Sequence, residues 1–434
     1  MLAEGLVRSA QDSVTAIATD VADLCNTIDD PVSLCECALL FAYLAEAEQS
    51  ASWNQKAIES LNLAIERVSV GRVSSLGLYG GLSEIGWIIE HVRNLPLSRG
   101  VGLVETCTEW GPFDGDDDPI SEIDEFLIRS LATGTYDGSY DLINGLVGIG
   151  IYFLERLPRD AGIRGVELIL KHLYDSADIF PSSGATWFTS SHLLPKSHLA
   201  ACPGGYYNLG VAHGVPAVVY FLAETFVARI QEACAKDLLN DSVKWLLEQQ
   251  RSPCELSRYG NWMAAEQEQG DSRLRWCYGD LGISAVLHHV AARVGNPHWQ
   301  SAAEALSDRC LVWPREKAGI CDAQLCHGAM GVAHVFSRIY HLYGNSLYKV
   351  AANAWFEQGL AMRRSGVGIG GFCAWNSGAN PHWTEDRSFL SGGIGISLAL
   401  LAAITPIEPE WDRLLVLSGR QHALPREVLR DPRI

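Results

Sequence analysis

The chain has 434 residues, of which 33 are basic and 51 acidic, so its formal net charge at neutral pH is −18. This negative balance argues against nucleic acid and anionic membrane surfaces as partners, because both require a basic face on the protein. The 12 cysteines are too sparse for a disulfide scaffold, and a chain of this length can bury a large core without such cross-links.

The N-terminal residues lack the basic and apolar stretches of a signal peptide. The longest charge-free segment lies between Arg387 and Glu408. Its apolar part is too short to cross a bilayer. We therefore expect a cytoplasmic protein with no integral membrane segment. In that compartment a functional cysteine is more often a metal ligand or a nucleophile than half of a disulfide.

Six short segments recur along the chain, and an apolar stretch with helical periodicity follows each of them. They begin with Tyr79-Gly-Gly, Ile143-Asn-Gly, Ala212-His-Gly, Cys277-Tyr-Gly, Cys326-His-Gly and Leu390-Ser-Gly. Their aligned glycines are Gly81, Gly145, Gly214, Gly279, Gly328 and Gly392. Most of the intervals between these glycines are about 65 residues, which accommodates two helices with their connections.

Because strand signals are scarce, this repeat predicts an all-α protein. We expect a single α/α-toroid domain over residues 1–434, with about six to seven helical pairs and inner helices that begin at the glycine motifs. An open solenoid is the alternative, and the low number of repeats favours closure. Two motifs depart from the pattern. Glu84 occupies a usual glycine position in the first, and Pro216-Ala217 in the third is expected to alter the helix start beside His213.

Cysteine occupies the same repeat position in two consecutive motifs, at Cys277 and Cys326, and His327 follows the second. If the helix starts surround one axis, these side chains face a common cavity. Two thiolates and an imidazole select zinc (Zn²⁺), and three protein ligands leave the fourth position open, as in catalytic zinc sites. From the repeat alone, packing of both cysteines in the core is an equally good interpretation. Cys321 is interpreted as a bystander rather than a fourth ligand.

Four of the motifs resemble those of the LanC-type lanthipeptide cyclases: Tyr140-Asp-Leu-Ile-Asn-Gly, Asn208-Leu-Gly-Val-Ala-His-Gly, Trp276-Cys-Tyr-Gly and Cys326-His-Gly. The resemblance runs through all six glycine motifs. It implies an α/α toroid with a small β-containing, SH2-like insertion. Residues 182–207 are the matching stretch, since they are polar, poor in helix signals and rich in serine, glycine and proline.

The resemblance also implies an activity: zinc-dependent addition of peptide cysteine thiols to dehydroalanine or dehydrobutyrine, which forms lanthionine or methyllanthionine thioether rings. The substrate would be a leader-bearing, dehydrated precursor peptide. A dehydratase and an exporter are candidate partners in a modification complex. The zinc ligands implied by the resemblance are Cys277, Cys326 and His327.

Four further residues are implied as catalytic. His213 is the acid/base candidate and Asp141 is its partner, although Asp141 also suits a helix N-cap. Tyr278 is as well interpreted by packing as by proton donation. Arg273 matches the family's arginine, and Arg275, two residues closer to Cys277, is a competing candidate.

Two other functions stay open at this point. One is a different zinc–thiol enzyme on the same fold, either a glutathione-adding LanC-like protein or a prenyltransferase-like one. The other is a non-catalytic, peptide-binding subunit of a modification complex.

Overall fold

A computed structural model describes residues 2–68, 73–96, 118–132, 134, 136–265, 270–377 and 380–420 of the chain. The described α-helices are α1 (Glu4–Cys25), α2 (Pro31–Glu48), α3 (Ala51–Val68), α4 (Leu82–Asn94), α5 (Ser121–Ala132), α6 (Leu146–Glu155), α7 (Asp160–Ser176), α8 (Lys196–Ala201), α9 (Val215–Val227), α10 (Glu232–Glu248), α11 (Asp280–Val294), α12 (Pro297–Leu311), α13 (Ala329–Tyr343), α14 (Ser346–Ala361) and α15 (Gly393–Ile404). Among them, none has the length and apolar character needed to span a membrane.

Seven of these helices form a closed inner ring. Each contacts the next in the order α2, α4, α6, α9, α11, α13 and α15, and α15 contacts α2 again. An outer layer packs against them: α3 on α2, α5 on α4 and α7, α7 on α6, α10 on α9, α12 on α11, α14 on α13, and α1 on α15. The predicted all-α toroid is therefore confirmed, with seven helical pairs. The open solenoid is wrong, because the first inner helix packs against the last and closes the ring.

The seventh inner helix, α2, follows no glycine motif. The Asp30 side chain caps it by accepting the N–H of Ser33 at 2.9 Å, and Pro31 occupies its first position. Both residues are typical helix-start signals. Most of α2 is buried, including every residue from Leu34 to Ala45, as expected for a helix surrounded by neighbours.

All six aligned glycines cap inner helices at their N-termini. The chain folds so tightly there that a Cβ on Gly145 would lie 2.2 Å from the carbonyl oxygen of Ser139. The expectation that Pro216 alters the third helix start is wrong. Gly214 has φ −137° and ψ −168°, close to every other cap except Gly279, because proline fits the first turn of a helix without losing a hydrogen bond.

Backbone hydrogen bonds join the residues that lie two positions before these glycines. The N–H of Ala212 donates to the carbonyl of Cys277 at 3.2 Å, that of Cys277 to Cys326 at 3.3 Å, and that of Cys326 to Leu390 at 3.0 Å. In the first motif, the N–H of Tyr79 donates to Ile143 at 3.2 Å. We call this set the loop ring. It brings one repeat position from successive motifs to the same end of the toroid.

Short antiparallel strands lie in and around the predicted insertion. They are β1 (Asp178–Phe180) with β2 (Gly184–Thr186), and β3 (Phe188–Thr189) with β4 (Tyr206–Asn208) and β5 (Trp262–Met263). A hairpin of β6 (Ala374–Asn376) and β7 (His382–Thr384) precedes α15. Residues 182–207 thus contain β-structure, but β1 begins before them and β5 lies far beyond them. The insertion's bounds, its SH2-like character and the 1–434 domain bounds stay predictions, since 421–434 lie outside the described residues.

After α15 the chain returns to the inside of the toroid, and we call residues 410–420 the C-terminal segment. Arg413 of this segment donates to Glu155 of α6 at 3.0 Å. Its backbone carbonyls also support the loops above: Leu414 accepts the Tyr79 hydroxyl at 2.7 Å, and Leu415 accepts the Trp276 indole N–H at 2.8 Å. The C-terminal segment therefore contacts the residue directly before Cys277.

Replacing Gly331 by alanine tests how closely a helix start and its loop must approach. The new Cβ would lie 1.8 Å from the carbonyl oxygen of Leu325, so loop and helix must separate. We expect Gly331→Ala to lower the free energy of unfolding by about 2 kcal/mol or more, measured by denaturant unfolding. Gly5→Ala is the control, because a Cβ added to Gly5 would meet no atom within 4 Å. Equal stability of the two variants would contradict this close packing.

Candidate metal centre

Three metal-binding side chains converge at the loop ring. One ligand atom each from Cys277, Cys326 and His327 lies within 4.8 Å of the other two. Cys277 is buried, whereas Cys326 and His327 are half-buried. The convergence follows from the repeat, since the two cysteines occupy one repeat position before the neighbouring helices α11 and α13. The hydrogen bond between their backbones fixes the spacing of the loops.

The two thiols are electrostatically unequal. A hydrogen bond from Cys326, helped by His327 and the nearby Arg275 guanidinium, holds the pKa of Cys277 well below its usual value despite burial. The same hydrogen bond raises the pKa of Cys326. The thiolate form is therefore favoured at Cys277 and the protonated thiol at Cys326.

This donor set fits zinc. Thiolate sulfur and imidazole nitrogen are the ligands that zinc takes in proteins, and a bound cation would replace the thiol proton of Cys326. The partial exposure of Cys326 and His327 leaves one side of the cluster open. Cys321 is exposed and is not part of the cluster, in agreement with its interpretation as a bystander.

His213 and Asp141 form a hydrogen-bonded pair next to this cluster. Nδ1 of His213 lies 2.6 Å from Oδ2 of Asp141, whose other oxygen accepts the N–H of Asn144 at 2.8 Å. Burial alone would lower the pKa of His213, but the hydrogen bond and charge of Asp141, with Cys277 nearby, raise it above the usual value. Asp141 thus stabilises its own turn and orients the imidazole, while Gly145 is the cap of α6.

Tyr278 lies between His213 and an arginine. Its ring centroid is 6.3 Å from that of His213, and the Arg275 guanidinium carbon lies 5.0 Å from the same tyrosine ring. The amide of Asn208 donates to the tyrosine hydroxyl at 3.2 Å. Burial raises the pKa of Tyr278, so the phenol stays protonated at neutral pH.

Of the two candidate arginines, Arg275 is the one near the cluster. It stacks on Tyr278, and its Nε is buried without a hydrogen-bond partner among the described residues. The Arg273 side chain is exposed and packs against Gly319. The expected role of Arg273 is therefore not supported by its position, and Arg275 is the better candidate.

The repeat contains the signal that separates the two arginines. The residue four positions before the aligned glycine is Asp141 in the second motif and Arg275 in the fourth. The residue six positions before the glycine is polar and short in five motifs, namely Ser75, Ser139, Asn208, Asp322 and Asp386. Each of these five accepts the backbone N–H two residues later, in the manner of an Asx or Ser/Thr turn. Arg273 takes this loop-forming position in the fourth motif.

Comparison with known proteins agrees with this architecture. A family model described as "Lanthionine synthetase C-like protein" matches residues 113–416. Nisin cyclase, a solved structure, superimposes with a TM-score of 0.69 at 19% identity, covering 93% of this chain and 96% of that chain. A search of curated proteins finds no match. Since the family model covers more than two thirds of the sequence, the chain belongs to the lanthionine synthetase C-like family.

Proposed function

We propose that this protein is a zinc-dependent cyclase acting on a dehydrated precursor peptide. It adds a cysteine thiol of the peptide to dehydroalanine or dehydrobutyrine and so closes a lanthionine or methyllanthionine ring. One observation carries the proposal: the cluster of Cys277, Cys326 and His327 shares one end of the toroid with the His213–Asp141 pair. Membership of the family supports the reaction class.

The cluster suits the activation of a thiol. Zinc held by these three side chains would bind the substrate sulfur as thiolate and keep it ionised at neutral pH. The chain contributes two anionic sulfurs, which keep a sulfur bound beside them electron-rich. The Arg275 guanidinium lies close enough to influence both cysteines, and so offsets part of this negative charge. Cys326 and His327, which are half-buried, lie on the open side of the cluster, where a peptide can enter.

The His213–Asp141 pair suits the proton transfer that completes the addition. Attack of sulfur on the β-carbon places negative charge on the adjacent carbonyl, and the α-carbon then takes a proton. The pKa of His213 is raised by Asp141, which favours the protonated imidazole that can give that proton. Asp141 is hydrogen-bonded to Nδ1 of His213, so Nε2 is the ring nitrogen that can face the substrate. Arg275 and the neutral Tyr278 are donors suited to the developing charge.

The remaining expectations stay predictions from the resemblance. These are the cytoplasmic location, the leader on the substrate, and a dehydratase and an exporter as partners.

Loss of one thiol ligand should remove the metal. We expect zinc-loaded wild type to contain about one zinc per chain and Cys326→Ala to bind zinc more than about 100-fold more weakly, because a three-ligand site loses a charged donor. Equilibrium dialysis with metal analysis measures both. Cys321→Ala, five residues away and outside the cluster, is expected to match wild type. Full zinc occupancy in Cys326→Ala would refute the ligand set.

The pH dependence of kcat tests the His213–Asp141 pair. Because Asp141 raises the pKa of His213, protonated His213 is present below that pKa and lost above it. Asp141→Asn should therefore move the basic limb of the kcat profile to lower pH and reduce kcat at least about tenfold. Asp137→Asn, an exposed acid on the same loop, is the control. An unmoved basic limb would contradict the acid role of His213.

The two arginines provide a matched pair. Arg275→Met should lower kcat/KM for thioether formation by about 100-fold, since it removes the cation beside the cluster. Arg273→Met should change it less than about threefold, since that side chain is exposed. Ring formation followed by mass spectrometry gives both rates. The reverse order of effects would restore the arginine role to Arg273.

A further inference from the structure

A cavity of about 400 Å³ is lined by the loop before α13, the segment that follows α14, and Trp383 of β7. Its apolar wall includes Met362, Val367, Phe372 and Trp383. Val367 is 44% exposed and Trp383 is 52% exposed, so large apolar side chains face solvent at its mouth. A concave site with exposed apolar walls is typical of ligand binding.

This cavity adjoins the loop that carries Cys326 and His327 of the candidate metal centre. Asp322 lines it, and a Cβ on Gly328, the residue after His327, would lie 2.6 Å from Oδ1 of Asp322. Asp322 and Cys326 are four positions apart in the chain, so these two lie at most about 14 Å apart. Four extended peptide residues span about the same distance, so a peptide with its cysteine at the cluster is long enough to place a residue within about four positions of that cysteine at the cavity.

The far wall is tied to the same loop. Oδ2 of Asp322 accepts the backbone N–H of Trp375 in β6 at 2.7 Å. The ring centroids of Trp375 and Trp383 lie 5.1 Å apart, so Trp375 also contacts the tryptophan at the mouth of the cavity. The walls are thus held in place before any ligand enters, which reduces the entropy lost on binding.

Charge at the cavity also favours a peptide. Asp322 is buried and its oxygens are engaged by Gln324 and Trp375. Arg364 is the other charged residue of the lining, and its side chain is exposed. The cavity therefore combines an apolar wall with one accessible cation, which suits an apolar side chain next to a neutral or acidic residue.

We propose that this cavity is a side-chain subsite for the substrate peptide. It takes an aromatic or branched aliphatic side chain within about four residues of the reacting cysteine. The inference rests on the proposed function, since it requires a peptide with its thiol at the metal centre. Burial of an aromatic ring in such a subsite tightens binding by about tenfold or more relative to glycine.

The test uses pairs of synthetic peptides, each with one cysteine and no dehydrated residue, in which Trp or Gly is placed in turn at each position within about four residues of the cysteine. Calorimetry on the zinc-loaded protein gives the affinities without turnover. At the position that reaches the cavity, we expect the Trp peptide to bind about tenfold more tightly to wild type than its Gly partner. Val367→Trp narrows the mouth and Trp383→Ala removes a wall, and each should reduce the ratio below about threefold. Val350→Trp, on an exposed site of α14 (66% exposed), should preserve it.

A ratio near one in wild type at every tested position, or an unchanged ratio in both cavity variants, overturns the subsite. The same pair of peptides with an added dehydroalanine separates this failure from failure of the proposed function. If the affinity ratio holds and no thioether forms, the cyclase proposal is wrong while the subsite stands. If both peptides cyclise with equal KM, cyclisation stands and the subsite is wrong.

Discussion

The loop ring is the constraint on which the rest of the structure depends. Each of its backbone hydrogen bonds contributes only about 1 kcal/mol by itself, but together they hold successive loops in register. Cys277 and Cys326 are adjacent members of this ring, joined by a backbone hydrogen bond, so their side chains start from neighbouring positions. The position of the cluster is therefore a property of the closed repeat, and no local sequence pattern creates it alone.

Both ends of the described chain take part in that closure. Helix α1 packs on α15, and the C-terminal segment fills the inside of the toroid. Its Arg413 pairs with Glu155, and its Asp412 accepts from His334 at 2.9 Å. Such buried polar pairs add little net stability. Here they orient a segment whose carbonyl at Leu415 holds Trp276, directly before the first thiol ligand. Packing of the C-terminal segment inside the toroid thus helps to position Trp276 and, through it, the neighbouring Cys277.

The repeat in the sequence predicted the toroid, the capping glycines and the neighbouring cysteines, because glycine is required wherever a loop folds back on its helix. Two features are not predicted by it. Helix α2 has no glycine motif, although Asp30 and Pro31 mark its start. For the arginine, the repeat position shared with Asp141 favours Arg275, whereas the resemblance implies Arg273. The cavity near Trp383 depends on contacts between residues distant in sequence, such as Asp322 with Trp375.

The spectrum of the cobalt(II)-substituted protein tests the zinc–thiol site most directly, because it reports ligand type and geometry in one measurement. We predict an intense tetrahedral spectrum with thiolate-to-cobalt charge transfer from two sulfurs. A cysteine-containing peptide should increase that charge transfer as a third sulfur binds. A weak octahedral spectrum without thiolate bands, or a spectrum that the peptide thiol leaves unchanged, would contradict a thiol-activating zinc centre at Cys277, Cys326 and His327.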